Sequence, residues 1–557
     1  KDMKLPLLLA FAALSTSVQA QTNDKLFVSW GSKDVHYAAT ERPNQKLTTD
    51  TVLQAWRGER AAMQAIIYAP KTVGKLRVRL TELKSGRNTL AANSAQARFV
   101  NYVTTDNYQY CGYHPATLTP YQVPDVIDLD VAQQVDEGTA HPVWCTIEVP
   151  QTAAPGSYAT QLEVVDDATQ KVVNRLRLNV KVNAHALPTP KEQKFHVDFW
   201  QQPYAVSRYL NVARWSDAHF EALRPYLQLL ARSGQKVVSA ILFYEPWGDQ
   251  SNDKFDAMIK TTKGRDGQWH YDYTVFDRWV ALCAECGIDE QINCFSMVPW
   301  DMTFRYYDEA TGKDVDLKTT TSSKEYKELW SNFLKSFATH LKQKGWFDKT
   351  CIAMDERGLD NMLDAYRVAQ EAVPGIKMAL AGTYHPELLD KLYDYCIGFG
   401  EAFTANELAA RKAKGYKSTT YTCCSNTEPN LFSNSLSAEA AYIPVWCTAN
   451  GFEGYLHWSW MNWTDNPLSD TRFRLFAPGD TYLIYPGPRS SVRYERFIEG
   501  IALAEKVRLL REEYQRTNNT AALNQLNEMV SAFQPVGIPQ GRTAAEMVNA
   551  LQQLVNK

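Results

Sequence analysis

The segment Cys351-Ile352-Ala353-Met354-Asp355-Glu356 stays apolar for four residues and then ends in two adjacent carboxylates. Such a run predicts a short buried strand that carries charge only at its carboxyl end. In an α/β barrel the chemistry occurs at that end of the strands, where the loops that follow them meet. Because an isolated acidic pair is more often a solvated turn, the surrounding sequence has to decide between the two interpretations.

The chain on both sides of this segment alternates between short apolar runs and amphipathic helical patterns. Before it, apolar residues from Tyr326 to Leu341 repeat at spacings of three and four, which predicts one face of a helix. Helical patterns also begin near Asp217 and cover residues 274–286. Eight strand–helix units over roughly 290 residues predict a (β/α)8 barrel. The predicted strands cover residues 194–200, 237–244, 291–296, 351–356, 378–382, 396–399, 419–423 and 452–460.

Two further regions flank the predicted barrel. Residues 21–187 alternate with period 2 between Pro and Gly turns, which predicts a β-sandwich that supports the barrel and does not catalyse. The segment Leu187-Pro188-Thr189-Pro190 is typical of a stiff linker. The barrel is predicted over 191–487 and helices over 488–557. The fold class is therefore multidomain α/β: an N-terminal β-sandwich, a (β/α)8 TIM-like barrel and a C-terminal helical segment.

Residues 1–20 are typical of a bacterial secretory signal peptide. Met3-Lys4 begins a short basic region, residues 5–14 are apolar, and Val18-Gln19-Ala20 has the small residues of a cleavage site. The apolar run is too short to span a membrane, and no other segment reaches about 18 apolar residues. The sequence thus predicts a secreted or periplasmic protein without a membrane span.

Composition narrows the classes of partner. The net charge of -3 gives no indication of nucleic-acid binding. The 10 Cys and 10 His residues include one metal-like spacing, Cys283-Ala284-Glu285-Cys286, which lies on a helical pattern without a second pair nearby. The sequence therefore predicts no metal and no cofactor. Export permits disulfides, but the spacing of the cysteines does not indicate which of them pair. Nor does the sequence indicate an oligomeric state.

Polar and aromatic residues collect at the carboxyl ends of the predicted strands. The chain has 15 Trp, 29 Tyr and 22 Phe residues, and their faces can stack on the apolar faces of sugar rings. Each such residue alone is better explained as part of the rim or the core, whereas their convergence around Asp355 and Glu356 predicts a sugar pocket. The candidate substrate-binding residues are Tyr244, Trp300, Tyr384, His385, His457, Trp458, Trp460 and Asn462.

Adjacent carboxylates restrict the mechanism. A retaining glycosidase with two carboxylates holds its acid and its nucleophile about 5–5.5 Å apart, on opposite sides of the anomeric carbon. Neighbours in one peptide can hardly take those positions, but they can act together from one side. One would protonate the leaving oxygen, while the other would orient a 2-acetamido group whose carbonyl oxygen attacks the anomeric carbon.

The chain resembles glycoside hydrolase family 123, the β-N-acetylgalactosaminidases, over most of residues 25–515. The resemblance rests on the two-domain plan and on three motifs: Met354-Asp355-Glu356, Gly454-Tyr455-Leu456-His457-Trp458 and Gly479-Asp480-Thr481-Tyr482-Leu483-Ile484-Tyr485-Pro486-Gly487. It implies exo-acting, retaining, substrate-assisted removal of terminal β-linked N-acetylgalactosamine (GalNAc) from glycans or glycolipids. By the same resemblance, Asp355 stabilises the acetamido group, and Glu356 is the general acid and then the general base.

Two alternatives remain open at this point. A two-carboxylate β-glycosidase would use Glu356 as its acid and Glu245, Glu401 or Asp465 as its nucleophile. A non-catalytic glycan-binding protein would use the barrel only as a scaffold, although a pure binder has no need of a buried acid. Activity on sugars without an acetamido group, or binding without turnover, would favour the first or the second alternative respectively.

Overall fold

The structure is a computed structural model that describes residues 25–557. The predicted signal peptide lies outside the described residues. Among those residues, no helix is both long enough and apolar enough to cross a membrane.

Two sheets form the N-terminal part. In chain order the strands are β1 (Phe27–Gly31), β2 (Asp50–Arg57), β3 (Arg60–Ala69), β4 (Gly74–Leu80), β5 (Lys84–Ser85), β6 (Asn88–Thr89), β7 (Ala95–Thr105), β8 (Tyr121–Ile127), β9 (Ala132–Val135), β10 (Thr139–Glu148), β11 (Gly156–Asp166) and β12 (Val172–Ala186). One sheet has the order β1-β3-β10-β7-β8, and the other has β2-β12-β11-β4-β9 as its main path. Their facing side chains share one core, in which Trp30 from the first sheet and Leu162 from the second are buried.

The second part of the chain contributes twelve strands. They are β13 (His196–Phe199), β14 (Val237–Ile241), β15 (Lys260–Lys263), β16 (Trp269–Asp272), β17 (Gln291–Phe295), β18 (Thr303–Asp308), β19 (Lys313–Lys318), β20 (Thr350–Met354), β21 (Lys377–Gly382), β22 (Asp394–Gly398), β23 (Lys417–Tyr421) and β24 (Gly454–His457). Eight of them form a parallel sheet in the order β13-β24-β23-β22-β21-β20-β17-β14. The sheet is nearly closed, because the Lys236 amide donates to the Val197 carbonyl at 3.0 Å between its two edge strands.

Ten α-helices accompany these strands in the described residues. They are α1 (Tyr204–Leu210), α2 (Asp217–Ala231), α3 (Thr274–Glu285), α4 (Lys324–Lys344), α5 (Leu359–Ala372), α6 (Ala405–Ala413), α7 (Ser437–Ala449), α8 (Val492–Arg516), α9 (Thr520–Ser531) and α10 (Ala544–Val555). The predicted apolar face of α4 is buried, and Ser323 caps its first turn by accepting from the Tyr326 amide. Strand and helix do not alternate strictly: only a 3-10 turn, Pro386–Leu388, lies between β21 and β22.

The predicted barrel strands coincide with the observed ones except at their ends. The strand β20 ends at Met354, so the carboxylates lie just beyond it and not within it. The chain turns there because Asp355 Oδ1 accepts a hydrogen bond from the Glu356 amide at 2.8 Å. A separate sheet, in the order β16-β15-β18-β19, is inserted in the connections that follow β14 and β17 and was not predicted.

Buried ion pairs join the N-terminal sheets to the helix α8. Arg493 Nε lies 2.9 Å from Asp125 Oδ2, and Lys506 Nζ lies 2.7 Å from Glu59 Oε2. Burying both members of such pairs is costly unless their remaining atoms are also bonded. Arg493 meets that condition, since it also donates to the Leu431, Gly479 and Tyr482 carbonyls. These contacts fix the sheets against the barrel and bring the loop between β7 and β8 to the barrel's carboxyl end.

Candidate active site

The carboxyl ends of the barrel strands surround a cavity of about 270 Å³. Most of its lining residues lie at or just after the ends of β13, β14, β17, β20, β23 and β24, which is where a barrel places its chemistry. They are Cys111, Trp200, Trp247, Gln250, Trp300, Asp355, Glu356, Ala381, Tyr421, Cys423, Cys424, Leu456, Trp458, Phe476 and Asp480.

A larger groove of about 830 Å³ lies on the N-terminal sheets, between residues such as Asp50, Glu82 and Arg177. None of its lining residues has an aromatic ring. One of its two acidic residues, Asp50, is held ionised by the exposed Arg177, which keeps the pKa of Asp50 below its usual range. The cavity of the barrel is therefore the candidate active site.

Asp355 is half-buried in the wall of the cavity. Desolvation, followed by the neighbouring Glu356 charge, raises the pKa of Asp355 to about 7. The indole groups of Trp300 and Trp247 oppose this shift in the pKa. Both indole nitrogens are buried and make no well-formed hydrogen bond with the described residues. The carboxyl of Asp355 thus lies between an apolar wall and two N–H donors, an environment in which its protonation state is easily changed.

Glu356 is exposed at the cavity, and the hydroxyl of Tyr421 donates a hydrogen bond to its Oε1. Desolvation and the Glu356 carboxylate raise the pKa of the Tyr421 hydroxyl, so it remains a donor at neutral pH. Tyr421 is the last residue of β23, and its position on the sheet therefore determines where the Glu356 carboxyl lies.

Indole rings form the walls on either side of the pair. Trp200 stacks on Trp247 with ring centroids 5.3 Å apart. On another side, Trp458 meets Phe476 edge to face at 5.2 Å. The guanidinium of Arg357 lies 5.1 Å from the centre of the Trp300 ring. A cavity with aromatic walls and a few polar groups is what a sugar ring, apolar on its faces and polar at its edge, requires.

Asp480 is a third carboxyl in the cavity, and it is only 1% exposed. Its Oδ2 accepts a hydrogen bond from the Trp458 indole at 3.0 Å. Desolvation raises the pKa of Asp480 to about 7. Its Oδ1 is buried and has no hydrogen-bond partner among the described residues.

Two of the eight candidate substrate-binding residues, Trp300 and Trp458, line the cavity together with Asp355 and Glu356. Tyr244 lies outside it, with the Arg305 guanidinium 3.9 Å from the centre of its ring. The strand β14 ends at Ile241, three residues earlier than predicted, so Tyr244 belongs to a loop and not to the barrel strand.

The other five also lie outside the cavity lining. Tyr384 donates to Glu407 Oε1 at 2.8 Å, and the amide of His385 donates to the Tyr395 hydroxyl at 2.6 Å. His457 is fully buried, and its Nε2 lies 2.9 Å from the Asp480 carbonyl oxygen. Trp460 and Asn462 are buried as well. Their substrate contacts, like those of Trp300 and Trp458, stay predictions.

None of the three alternative nucleophiles lines the cavity. Glu245 Oε2 accepts from the Phe255 amide at 2.9 Å, and Glu401 accepts from the Tyr384 and Gly398 amides. Asp465 Oδ1 accepts from the Asn252 side chain at 3.2 Å. Each carboxyl accepts its hydrogen bonds from residues next to the barrel and does not line the cavity.

Several residues of the cavity were not predicted as site residues. Four of them nevertheless lie within or close to a predicted strand or a quoted motif. Trp200, Trp247 and Tyr421 fall within or just after predicted strands, and Asp480 lies in one of the motifs quoted above. Alternation along the strands could have identified Tyr421. Nothing in the sequence alone distinguishes Asp480 from other loop carboxylates.

The N-terminal sheets contribute one wall of the cavity through Cys111, which forms a disulfide with Cys424. Cys423 lies beside this bond, and the three sulfur atoms are within 4.8 Å of one another. Because two of the three sulfurs are already bonded to each other, the group leaves a single thiol and does not suit a metal ion. The free cysteines Cys283 and Cys286, which have the metal-like spacing, lie in the last turn of α3 and at its C-cap respectively.

The nearly closed parallel barrel, the carboxyl pair beyond β20 and the indole walls define the class of barrel glycoside hydrolases. Residues 200–510 match the glycoside hydrolase 123 catalytic domain, and residues 30–166 match the glycoside hydrolase 123 N-terminal domain. The chain therefore belongs to glycoside hydrolase family 123.

One solved structure agrees with this assignment. A family 123 glycoside hydrolase from Clostridium perfringens, studied for glycolipid glycan hydrolysis, superposes with a TM-score of 0.85 at 25% sequence identity, covering 95% of this chain and 97% of that one. A putative glycoside hydrolase from Bacteroides vulgatus reaches a TM-score of only 0.31 at 10% identity, covering 83% of this chain and 79% of that one. No curated protein matches the chain.

Proposed function

We propose that this glycoside hydrolase is an exo-acting, retaining β-N-acetylgalactosaminidase that uses the substrate's own acetamido group as its nucleophile. The observation that carries the proposal is the placement of Asp355 and Glu356 as sequence neighbours on one wall of the cavity. Carboxyls joined by one peptide cannot flank the anomeric carbon as the two-carboxylate mechanism requires. From one side of the sugar, one of them can protonate the leaving oxygen while the other stabilises the acetamido group.

In the first step the acetamido carbonyl oxygen attacks the anomeric carbon while the bond to the aglycone oxygen breaks. Glu356 gives its proton to that oxygen, and Tyr421 holds the Glu356 carboxyl in position. The product is an oxazolinium ion, whose N–H donates to the ionised Asp355. A fixed negative charge beside a developing positive one stabilises the transition state without reorganisation.

In the second step a water molecule attacks the anomeric carbon, and the bond to the acetamido oxygen breaks. Glu356, now ionised, takes the proton of that water and returns to its starting state. Each of the two attacks inverts the anomeric carbon once, so the sugar is released with its original β configuration.

The raised pKa of Asp355 describes how readily its own carboxyl keeps a proton before substrate binds. With a pKa of about 7, Asp355 retains a proton over much of the neutral range. An acetamido N–H that donates to Asp355 favours its ionised form and lowers its pKa. Binding of the right substrate therefore favours the ionised Asp355, which is the form that stabilises the oxazolinium ion.

The size of the cavity supports the exo mode. At about 270 Å³ it lies just below the range of about 300–1,000 Å³ that is typical of ligand pockets, enough for one sugar ring but not for a chain. Terminal β-GalNAc on a glycan or glycolipid is the substrate that we infer, in keeping with the glycolipid glycans of the C. perfringens relative.

We also propose that the protein acts outside the cytoplasm, in the periplasm or after secretion. The Cys111–Cys424 disulfide supports this location, because such bonds form and persist in oxidising compartments.

A panel of 4-nitrophenyl β-glycosides tests the proposed function. We expect hydrolysis of the GalNAc substrate, weaker hydrolysis of the GlcNAc substrate and negligible hydrolysis of the galactoside, which has no acetamido nucleophile. Comparable turnover of the galactoside would contradict the substrate-assisted reaction. Binding of GalNAc without turnover of any glycoside would instead favour a non-catalytic role.

A further inference from the structure

The carboxyl of Asp480 is a buried group that the mechanism above does not use. It lines the same cavity as Asp355 and Glu356 but comes from the long connection between β24 and α8. The Trp458 indole donates a hydrogen bond to Asp480 Oδ2. The other oxygen, Oδ1, is buried without a hydrogen-bond partner among the described residues. A buried polar atom in this situation costs about 1–3 kcal/mol, and more if it is charged, so it calls for an explanation.

An ion pair within the protein does not explain it. Arg493 is the cation that lowers the pKa of Asp480, against the larger effect of burial. However, the Arg493 guanidinium is already bonded to Asp125 and to three backbone carbonyls. The Asp480 carboxyl therefore lines the cavity without an ion-pair partner among residues 25–557.

The backbone holds Asp480 rigidly in this position. The Asp480 amide donates to the Ala477 carbonyl at 3.1 Å, and the Asp480 carbonyl lies 2.9 Å from His457 Nε2. The preceding residue, Gly479, has a φ of +80°, and a Cβ there would lie 2.6 Å from the Ser433 amide. Only glycine fits this turn without displacement, so the carboxyl is fixed before any ligand arrives.

We propose that Asp480 is a specificity-determining residue whose free oxygen binds a hydroxyl on the C4–C6 side of the terminal sugar ring. This proposal rests on the proposed function, since it assumes that the acetamido group lies against Asp355. In that orientation the ring edge that carries the C4 and C6 hydroxyls extends away from the scissile bond. Cys423 lines the cavity together with Asp480 and Glu356, and after the larger effect of burial both carboxylates raise the pKa of its thiol. Neither Asp355 nor Glu356 is among the causes of the pKa shift of Asp480.

Trp458 completes this subsite. Its indole N–H fixes the Asp480 carboxyl, and the indole itself lines the cavity, where a sugar face can rest on it. A site built to bond a hydroxyl rejects an analogue that lacks it much more strongly than an apolar pocket rejects an extra group. Asp480 would therefore contribute to the choice of sugar rather than to bond cleavage.

The test is an enzyme–substrate double-mutant cycle. The kcat/KM of wild type, Asp480→Ala and Asp480→Asn is measured on an aryl β-GalNAc and on its 4-deoxy and 6-deoxy analogues. On the parent substrate we expect Asp480→Ala to lower kcat/KM by about 10²-fold, the scale of a lost hydrogen bond to a charged group. On the analogue that lacks the bonded hydroxyl, the same substitution should cost less than about threefold, because the contact is already absent.

An equal loss on all three substrates would overturn the proposal, since it would mean that Asp480 only holds Trp458 in place. Wild-type enzyme that hydrolyses both deoxy analogues as well as the parent would also overturn it, and that measurement needs no variant. Asp390→Asn, which removes an exposed carboxyl paired with Lys414, is the matched control and should behave as wild type.

The cycle separates this proposal from the proposed function. If the enzyme proves not to need the acetamido group while the coupling to one hydroxyl persists, the proposed function fails and the Asp480 contact stands. If acetamido participation holds without coupling, only the Asp480 contact fails. A glycosyl ester trapped on Asp480, or azide rescue of Asp480→Ala with an α-glycosyl azide as product, would overturn both, because Asp480 would then be the nucleophile.

Discussion

At the residue scale, two neighbouring carboxyls differ in their surroundings, and this difference supports the roles that we propose for them. Asp355 is half-buried beside the Trp247 and Trp300 indoles, whereas Glu356 is exposed and bonded to Tyr421. The more buried group suits the acetamido group inside the pocket, and the exposed one suits the leaving group at its entrance. In the proposed mechanism Asp355 acts as a charge and never as a covalent nucleophile.

The Asp355→Asn variant tests that role. It keeps a hydrogen-bonding group but loses the negative charge, so we expect kcat to fall by about 10²–10³, as for one preorganised electrostatic contact. A GalNAc-thiazoline resembles the oxazoline intermediate and should bind the wild type much more tightly than GalNAc does. Calorimetry should show that this preference is largely lost in Asp355→Asn; a variant that kept it would contradict the assigned role.

For Glu356→Gln we expect a loss that depends on the leaving group. With an aglycone that needs protonation, the rate should fall by about 10²–10⁴, the usual contribution of one acid–base group. An activated aryl leaving group needs less protonation, so its glycosylation step should suffer less. Single-turnover rates with both kinds of substrate would show the contrast, and near wild-type turnover of a natural glycan would remove Glu356 from the mechanism.

At the scale of elements, the disulfide connects the loop after β7 to the loop after β23 across the cavity. Cys111 and Cys424 both line the cavity, so the bond fixes part of the cavity wall. Both cysteines are distant in sequence from Asp355 and Glu356. The bond links positions 313 residues apart, and removing a native disulfide typically costs about 2–4 kcal/mol of unfolding free energy.

We therefore expect Cys111→Ser to raise KM by about tenfold while changing kcat little, because a loosened wall binds substrate less well. The melting temperature should fall at the same time. Cys286→Ser is the matched control, since Cys286 is a partly exposed free thiol at the C-cap of α3. An unchanged KM in Cys111→Ser would mean that the wall keeps its position without the bond.

Much of the order of strands and helices could be predicted, because barrel strands are buried on both sides and appear in the sequence as short apolar runs. The exposed sheet of β15, β16, β18 and β19 gave no such run, since its residues are mostly partly exposed and polar. The site was harder to predict, because strand ends decide which side chains reach the cavity. Leu456 and Trp458 line it, whereas His457 between them is directed to the Asp480 carbonyl. The disulfide and Asp480 depend on long-range contacts that periodicity does not report.

At the scale of the whole molecule, burial raises the pKa values of several carboxyls. Desolvation raises their pKa values to about 7, or about 8 for Glu439, from ordinary values near 4. Each therefore binds its proton more tightly in the folded chain than in the unfolded one, so the stability it contributes is lost as pH rises from about 4 to about 7–8. The residues are Asp198, Glu245, Asp355, Glu439 and Asp480.

We expect the free energy of unfolding to fall as pH rises from about 6.5 to 8.5, which urea titrations can measure. Below about pH 6.5 the half-buried His141 and the buried His457, whose pKa values desolvation lowers to about 4 and 3, oppose the trend. Glu439→Gln should reduce the slope above pH 6.5, because it removes one of the titrating carboxyls. Stability that is constant or rises over this interval would show that these carboxyls are ionised in the folded protein.

Participation of the acetamido group is tested most directly by the dependence of kcat/KM on the acyl group of the substrate. In aryl β-glycosides whose N-acetyl group is replaced by mono-, di- and trifluoroacetyl groups, fluorine makes the carbonyl oxygen a progressively weaker nucleophile. If this oxygen attacks the anomeric carbon, kcat/KM should fall steadily, by about 10²-fold or more across the series. A flat series, with a glycosyl ester trapped on any carboxyl of the cavity, would contradict acetamido participation and would establish an enzymic nucleophile.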